Sequence, residues 1–383
     1  MEIGIIDIQL DPKRPGVTGL SSVAWDWARY LMQHGEQVHL IGPYPVDVRG
    51  PDKVLMHRFP IPPGGYRSVI GNLLVALRAV EELRKIKFLD IVHCPEYLST
   101  AVAGLMTIDI PIILTTPGNI YERIAHANPY TWLTTQVYKL AAIVSAKKCS
   151  KIIAISHEMM YWWQKTGVNP SNLIMIPNGV DVNFFHPIPN ARDKLYLSEN
   201  RMYIVYAGRL SHEKGLTYLF EAFFQVTKLI SDIELHILGD GSQMEALKMY
   251  ADKLEIRDQV KFHGWVCNSK LPYFYSAADV VVLPSISEGH PRTVLEAMAC
   301  GSSFIGTRVS GIEDTVVDRE TGILVPARDT DQLAKAIIEM IKDRELARTI
   351  GTRARQRILS HYSWETIINS TINEVYQPVL TGN

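Results

Sequence analysis

Short runs of almost wholly apolar residues recur along the chain, each leading into a longer stretch with helical periodicity. In the first half the runs fall at 3–8, 37–41, 54–59, 90–93, 111–116, 151–155 and 173–176, with helical stretches at 21–34, 66–87 and 129–150. The second half repeats the rhythm with runs at 203–207, 234–238, 259–263, 279–283, 302–306 and 323–325. Positions that are apolar in succession, rather than alternately, predict parallel strands covered on both faces. Strand–helix alternation of this kind predicts an α/β fold of doubly wound sheets. The 383 residues suffice for two of them, since domains run to roughly 100–200 residues. Pro177, Asn178, Gly179, Pro187, Pro189 and Asn190 concentrate turn formers at 177–194, and the linker is expected there. The expected domains are a Rossmann-like unit over 1–182 and a second over 183–362, with 361–380 reading as a last helix broken near Ser363 and Trp364.

Composition narrows the function. Basic residues number 39 and acidic ones 40. Residues 1–182 hold 17 basic and 15 acidic side chains, and the remainder holds 22 and 25. Neither half has the cationic excess that phosphate neutralisation along a nucleic acid requires, so no nucleic-acid partner is expected. Cys94, Cys149, Cys267 and Cys300 are scattered, which suggests neither a disulfide framework nor a thiolate zinc site. The acidic start Met-Glu-Ile-Gly lacks the layout of a signal peptide. No apolar run reaches the eighteen or so residues of a membrane span. A cytoplasmic location is expected.

In parallel sheets, ligands bind where carboxyl ends of strands lead into helix N-termini. The first such exit carries Gly16 and Gly19 but not the spacing of a dinucleotide fingerprint. The exit after 203–207 reads Gly208-Arg209-Leu-Ser-His-Glu-Lys214-Gly215 before a helix at 216–229. Two cations at a helix N-terminus oppose the helix dipole, which points to an anion between them. A forked guanidinium and a point-charge ammonium suit a diphosphate. The exit after 279–283 carries Glu288, Gly289, His290, Pro291 and Arg292, and then a short helix expected to begin at Pro291 and end before Gly301. Glu296 lies in that helix among Leu295, Ala297, Met298 and Ala299. A carboxylate in so apolar a setting needs a partner, and the paired hydroxyls of a sugar would serve. The free N–H groups near Thr293 and Val294 would face the same phosphates.

Glu288 and Glu296, eight apart, resemble the E-x7-E motif of the retaining GT-B glycosyltransferases, family four (glycosyl transferases group one). Gly208–Gly215 resembles the phosphate-binding segment of that family, 176–181 its interdomain segment, and 238–241 with Gly239 a further nucleotide-side loop. Thr18-Gly19-Leu20 resembles its N-terminal glycine loop, and Tyr362-Ser-Trp-Glu365 the start of its returning C-terminal helix, here 363–383. The resemblance spans nearly the whole chain. It implies two Rossmann-like domains facing a deep cleft, the first binding the acceptor and the second a UDP-, GDP- or ADP-linked sugar. It further implies a hexosyltransferase that retains anomeric configuration and needs neither metal nor cofactor.

By the same resemblance, Arg209 and Lys214 hold the donor diphosphate, Glu296 binds ribose hydroxyls, and Glu288 and Gly289 lie beside the transferred sugar. Val266 falls where main chain meets the base, and Gly19 where the first domain approaches the phosphates. Arg209, Lys214 and Glu288 form the expected catalytic set, with the cations stabilising the departing diphosphate. Two positions depart from the pattern. Pro117, followed by Gly118 and Asn119, stands where a histidine is usual, and His93 or His126 would have to supply an imidazole. His290-Pro291-Arg292 replaces the more usual Phe-Gly and an apolar residue. An inactive nucleotide-sugar-binding relative and a nucleotide-sugar epimerase are the competing readings. Asp329 with Gln332, and Ser242 with Glu245, read as helix caps rather than metal ligands. Tyr161-Trp162-Trp163 beside Lys147, Lys148, Lys151 and Lys165 leaves open a peripheral contact with the cytoplasmic membrane face.

Overall fold

The computed structural model describes residues 1–8, 19–45, 50–61, 69–106, 109–116 and 132–382. Among them the chain divides into two compact units, Met1–Asn178 with Trp364–Asn383, and Gly179–Ser363.

The first unit is a parallel sheet of seven strands: β1 (Glu2–Ile6), β2 (Gln37–Gly42), β3 (Leu55–Arg58), β4 (Ile91–Cys94), β5 (Ile112–Thr115), β6 (Lys151–Ala154) and β7 (Leu173–Met175). Their order is β3-β2-β1-β4-β5-β6-β7. Ile5 aligns with Leu40 on one side and His93 on the other, so the centre of the sheet is closed to water on both faces. Helices α1 (Gly19–Gln33), α2 (Val69–Leu83), α3 (Tyr97–Leu105), α4 (Trp132–Lys148) and α5 (His157–Lys165) supply the crossovers.

The second unit contains β8 (Met202–Ala207), β9 (Ile233–Leu238), β10 (Val260–Gly264), β11 (Val280–Leu283), β12 (Phe304–Thr307) and β13 (Ile323–Val325), in the order β10-β9-β8-β11-β12-β13. All of their ladders are parallel. Its helices are α6 (Ala191–Lys194), α7 (Leu216–Thr227), α8 (Met244–Lys253), α9 (Leu271–Ala277), α10 (Arg292–Ala299), α11 (Ile312–Thr315), α12 (Thr330–Lys342) and α13 (Arg344–His361). The chain then breaks at Tyr362–Ser363, and the returning segment Trp364–Thr381 packs on β1 and α1 through Trp364, Ile368 and Tyr376.

Every strand expected from the apolar runs is present, with bounds shifted by two residues or fewer. Parallel strands buried on both faces have little else to be made of. Two expected helix starts are corrected. Pro291 is extended (φ −75°, ψ 125°) and caps α10 from outside, so the helix begins at Arg292. Helix α8 is preceded by Gln243 rather than Ser242, with no side-chain cap. Asp329 does cap α12, its carboxylate accepting from Gln332 N at 3.0 Å. Gly301 follows α10 with φ +73°, the left-handed stop that glycine accommodates.

Candidate functional site

From β8 the chain steps outward through β9 to β10, then returns to place β11 on the other side of β8. Loops leaving β8 and β11 therefore diverge, and such a reversal opens a ligand crevice at the strands' carboxyl ends. The two loops here are 208–215 and 284–291, the segments that carry the cations and the first glutamate.

Several contacts lock these loops together. Ile286 N donates to Glu213 O at 2.8 Å. Gly215 sits at φ +65°, and a Cβ there would lie 2.1 Å from Pro284 O. Only glycine lets the loops approach so closely. Lys214 Nζ donates to Glu288 Oε1 at 2.5 Å, and Ser285 Oγ donates to the same oxygen at 2.6 Å. Thr307 Oγ1 in turn donates to Ser285 O. The Glu288 carboxylate is thus nearly buried, paired with an ammonium and fixed by a hydroxyl, which is what keeps a buried charge tolerable.

Arg209 is exposed and forms no ion pair with a described residue. Its carbonyl accepts from Tyr206 Oη at 2.8 Å. Burial pushes the Tyr206 phenol well up, and Glu288 adds to the shift, so Tyr206 remains a donor bracing the loop. Gly208 N donates to Leu238 O, and Leu210 N to Asp240 O, tying this loop to the one after β9. Gly239, at φ +144°, has no room for a Cβ, which would meet Gly208 O at 1.9 Å. Gly239 N donates to Gly264 O at 2.7 Å, and Val266 follows two residues later, half-buried against the core.

Helix α10 carries the second glutamate. Thr293 Oγ1 donates to Ala207 O at 3.0 Å, pinning the first turn of the helix to the end of β8. Val294 is fully buried, and its N–H already donates to Pro291 O at 3.2 Å. The N–H of Thr293 stands at the same helix end. Glu296 is 7% exposed. Its Oε2 accepts from Tyr275 Oη at 3.1 Å, and Arg292 Nε lies 3.5 Å from Oε1.

Tyr275 and Tyr206 are the site residues that sequence reasoning missed. The signal for Tyr275 was indirect: an acid in an apolar helix demands a donor, but a residue 21 positions away has no local register with it. His290 turns out to be a core residue. It stacks on Tyr362 at 5.9 Å, and its Nε2 meets Thr315 Oγ1 at 3.2 Å. Burial pulls its pKa down to about 4, so it packs as a neutral ring. Gly289 lies half-buried beside it, its carbonyl against Gly311.

In the first unit, Gly19 opens α1. Pro117, Gly118, Asn119 and His126 lie outside the described residues. His93 is corrected from an available imidazole to a core residue. Its Nδ1 meets Tyr376 Oη and its Nε2 meets Thr115 Oγ1, both at 2.6 Å, and its ring lies edge-on to Trp27. Burial pulls its pKa down to about 3. Neither nitrogen is left for chemistry. Trp163 is likewise core, 1% exposed and beside Tyr97, so the Tyr161–Trp163 triplet is not one continuous surface patch.

Comparison with known proteins follows the same division. Residues 187–357 match the family described as glycosyl transferases group 1, and residues 17–184 match glycosyltransferase family 4. The chain is 31% identical over 207 residues to the GDP-mannose-dependent alpha-(1-6)-phosphatidylinositol monomannoside mannosyltransferase of Mycobacterium tuberculosis. That match covers 51% of this chain and 54% of the relative, about half of each. It is 30% identical over 308 residues to the UDP-Gal:alpha-D-GlcNAc-diphosphoundecaprenol alpha-1,3-galactosyltransferase of Escherichia coli, covering 77% of each chain. The structure superposes on sucrose-phosphate synthase from Thermosynechococcus elongatus with a TM-score of 0.87 at 23% identity, covering 100% of both chains. The two Rossmann-like sheets are thus those of the GT-B fold, and the chain belongs to the glycosyl transferases group 1 family.

Proposed function

We propose that the protein is a retaining hexosyltransferase moving a sugar from a nucleotide diphosphate to a hydroxyl of a glycan, lipid or small molecule. The observation that carries this reading is the Lys214–Glu288 pair at the crevice between β8 and β11. An ammonium has three N–H donors, and Glu288 engages one. The others are available to a diphosphate, with Arg209 as a second cation and the α10 N-terminus, at Thr293, as a third source of positive potential. Charge that develops on the leaving diphosphate is then met by groups already in place. Glu288 is held too firmly by Lys214 and Ser285 to rotate freely, which suits an organiser of the sugar. Glu296, Gly208, Gly239, Val266 and Gly289 complete the donor site in this reading.

Neutralisation by Arg209 and Lys214 supports a transfer that uses no metal and no cofactor. The named donors of the two relatives, GDP-mannose and UDP-Gal, support a nucleotide-sugar donor. The first unit is proposed to hold the acceptor. The decisive experiment is nucleoside diphosphate release from a panel of nucleotide sugars, with and without acceptor and with a chelator present. Acceptor-dependent release with a product of unchanged anomeric configuration supports the reading. Binding without release favours an inactive relative, and sugar interconversion without release favours an epimerase.

A membrane-facing acceptor is the second element of the proposal. Helix α4 has no acidic residue. Leu140 and Ile143 are 62% and 53% exposed, and they share one stripe with the exposed Lys139 and Lys147. Apolar side chains flanked by lysines suit an anionic lipid surface. The names of both relatives, which specify a phosphatidylinositol mannoside and a diphosphoundecaprenol, support a lipid-linked acceptor. Among the described residues no helix is long and apolar enough to cross a membrane.

A further inference from the structure

Glu296 is enclosed by groups from two elements. Tyr275, on α9, reaches it from the helix that precedes β11, and Arg292 reaches it from one turn earlier on α10. Each engages a different carboxylate oxygen, the phenol at Oε2 and the guanidinium near Oε1. Tyr275 is itself held rigidly. It is fully buried, its carbonyl accepts from Ser302 Oγ at 2.7 Å, and its ring lies against Phe185. A glutamate side chain has three torsions and many rotamers, so a hydrogen bond at one oxygen and a guanidinium beside the other restrict the orientation of this carboxylate. An ionised carboxylate offers about four lone-pair directions, so engagement by Tyr275 and Arg292 does not by itself exhaust it.

We propose that Tyr275 is the positioning residue of Glu296, and that with Arg292 it orients the carboxylate so that the site separates ribonucleoside from deoxyribonucleoside diphosphates. The inference rests on the reading of Glu296 as the ribose-binding group and deepens it. Selectivity for a hydroxyl pair needs acceptors in a fixed place: a carboxylate free to swing would accept from water once a hydroxyl were missing, and the penalty for the deoxy ligand would shrink. A site built to bond a hydroxyl rejects a ligand without it because its own polar group is left unpaired. Burial pushes the phenol of Tyr275 well above its ordinary range, so it remains a donor to Glu296 throughout the pH range in which the protein is handled.

The test uses the whole chain and calorimetry. UDP, GDP and ADP identify the base that binds, and the 2′-deoxy and 3′-deoxy forms of that nucleotide are then compared with it. Wild type is expected to bind at least one deoxy form about tenfold more weakly or worse, the scale of one hydrogen bond to a charged group. Tyr275→Phe keeps the ring and removes the hydroxyl. It should weaken the ribonucleotide by about tenfold while leaving the deoxy form nearly unchanged, so that the ratio collapses. A Tyr275→Phe protein with the wild-type ratio would overturn the proposal and leave Tyr275 a packing residue. A wild type that binds ribo and deoxy forms equally would overturn the ribose reading of Glu296 and the proposal with it, and the two failures are told apart in the wild-type measurement. If Tyr275→Phe does not fold, Arg292→Gln at the partly exposed first turn reads the same ratio, and Arg292→Lys should restore part of it. An unchanged ratio in Arg292→Gln would then overturn the proposal.

Discussion

Lys214 and Glu288 are 74 positions apart, yet their side chains meet at 2.5 Å. The meeting follows from topology. Strands β8 and β11 are neighbours in the sheet although β9 and β10 lie between them in the chain, and each residue sits in the loop at its strand's carboxyl end. Gly215 allows the loops to touch, and the Ser285 hydroxyl completes the coordination of Glu288. An ion pair this enclosed orients both partners, which matters more for a site than its net contribution to stability.

Removing the cations should separate catalysis from folding. Lys214→Ala and Arg209→Ala are each expected to lower turnover by about a hundredfold or more, the scale of one lost transition-state contact. Arg209 is exposed, so its variant should melt like wild type. Lys214→Ala strands the nearly buried Glu288 carboxylate and should melt lower. Transfer at the wild-type rate in either variant would mean that the diphosphate site is misplaced.

Glu288→Gln should leave nucleoside diphosphate affinity within about threefold of wild type while reducing turnover, because its proposed neighbour is the sugar and a change in sugar orientation acts on the chemical step. Calorimetry with the free diphosphate and a steady-state assay read the two quantities. Loss of diphosphate affinity with turnover intact would transfer Glu288 to the nucleotide side.

Acid should destabilise both units through buried histidines. His93 and His290 are held neutral, with pKa values of about 3 and about 4, whereas an unfolded histidine titrates near 6.5. Below pH ~6.5 the unfolded chain binds protons that the folded chain does not, so stability falls as pH falls, towards about 4 for His290 and about 3 for His93. The slope is about 1.4 kcal/mol per pH unit for each histidine, and these two contribute none above about pH 7. Urea unfolding between pH 7.5 and 4.5 checks the sign. His290→Phe, which keeps a ring against Tyr362, should flatten the curve for the second unit, and an unchanged slope would rule out His290 as its source.

The α4 stripe predicts partition onto anionic vesicles that weakens with salt, since each lysine near such a surface contributes about 1 kcal/mol. Lys139→Glu with Lys147→Glu should abolish sedimentation with phosphatidylglycerol vesicles and leave turnover on a soluble acceptor unchanged. No sedimentation of wild type with those vesicles at low salt would remove the membrane from the proposal.

Much of the molecule was legible because its determinants are local. Short apolar runs set between turn formers and helical stretches mark the parallel strands, and all the expected strands are present. The Asp329 cap and the Gly301 stop were readable for the same reason, since each depends on residues within one turn. Glu288, Glu296, Arg209 and Lys214 stood out as charges at strand exits or in an apolar helix.

Partnership across the sheet was not legible. Nothing in the spacing told that Tyr275 would donate to Glu296, that His93 would be sealed between Tyr376 and Thr115, or that His290 would lie flat on Tyr362. Those contacts depend on strand order and helix crossing, which couple residues 21 to 283 positions apart. The amino-acid sequence by itself determined the elements and the chemistry available at their ends. The tertiary structure decided which of those groups are buried, paired and therefore oriented, because burial and pairing are properties of packed neighbours rather than of any segment alone.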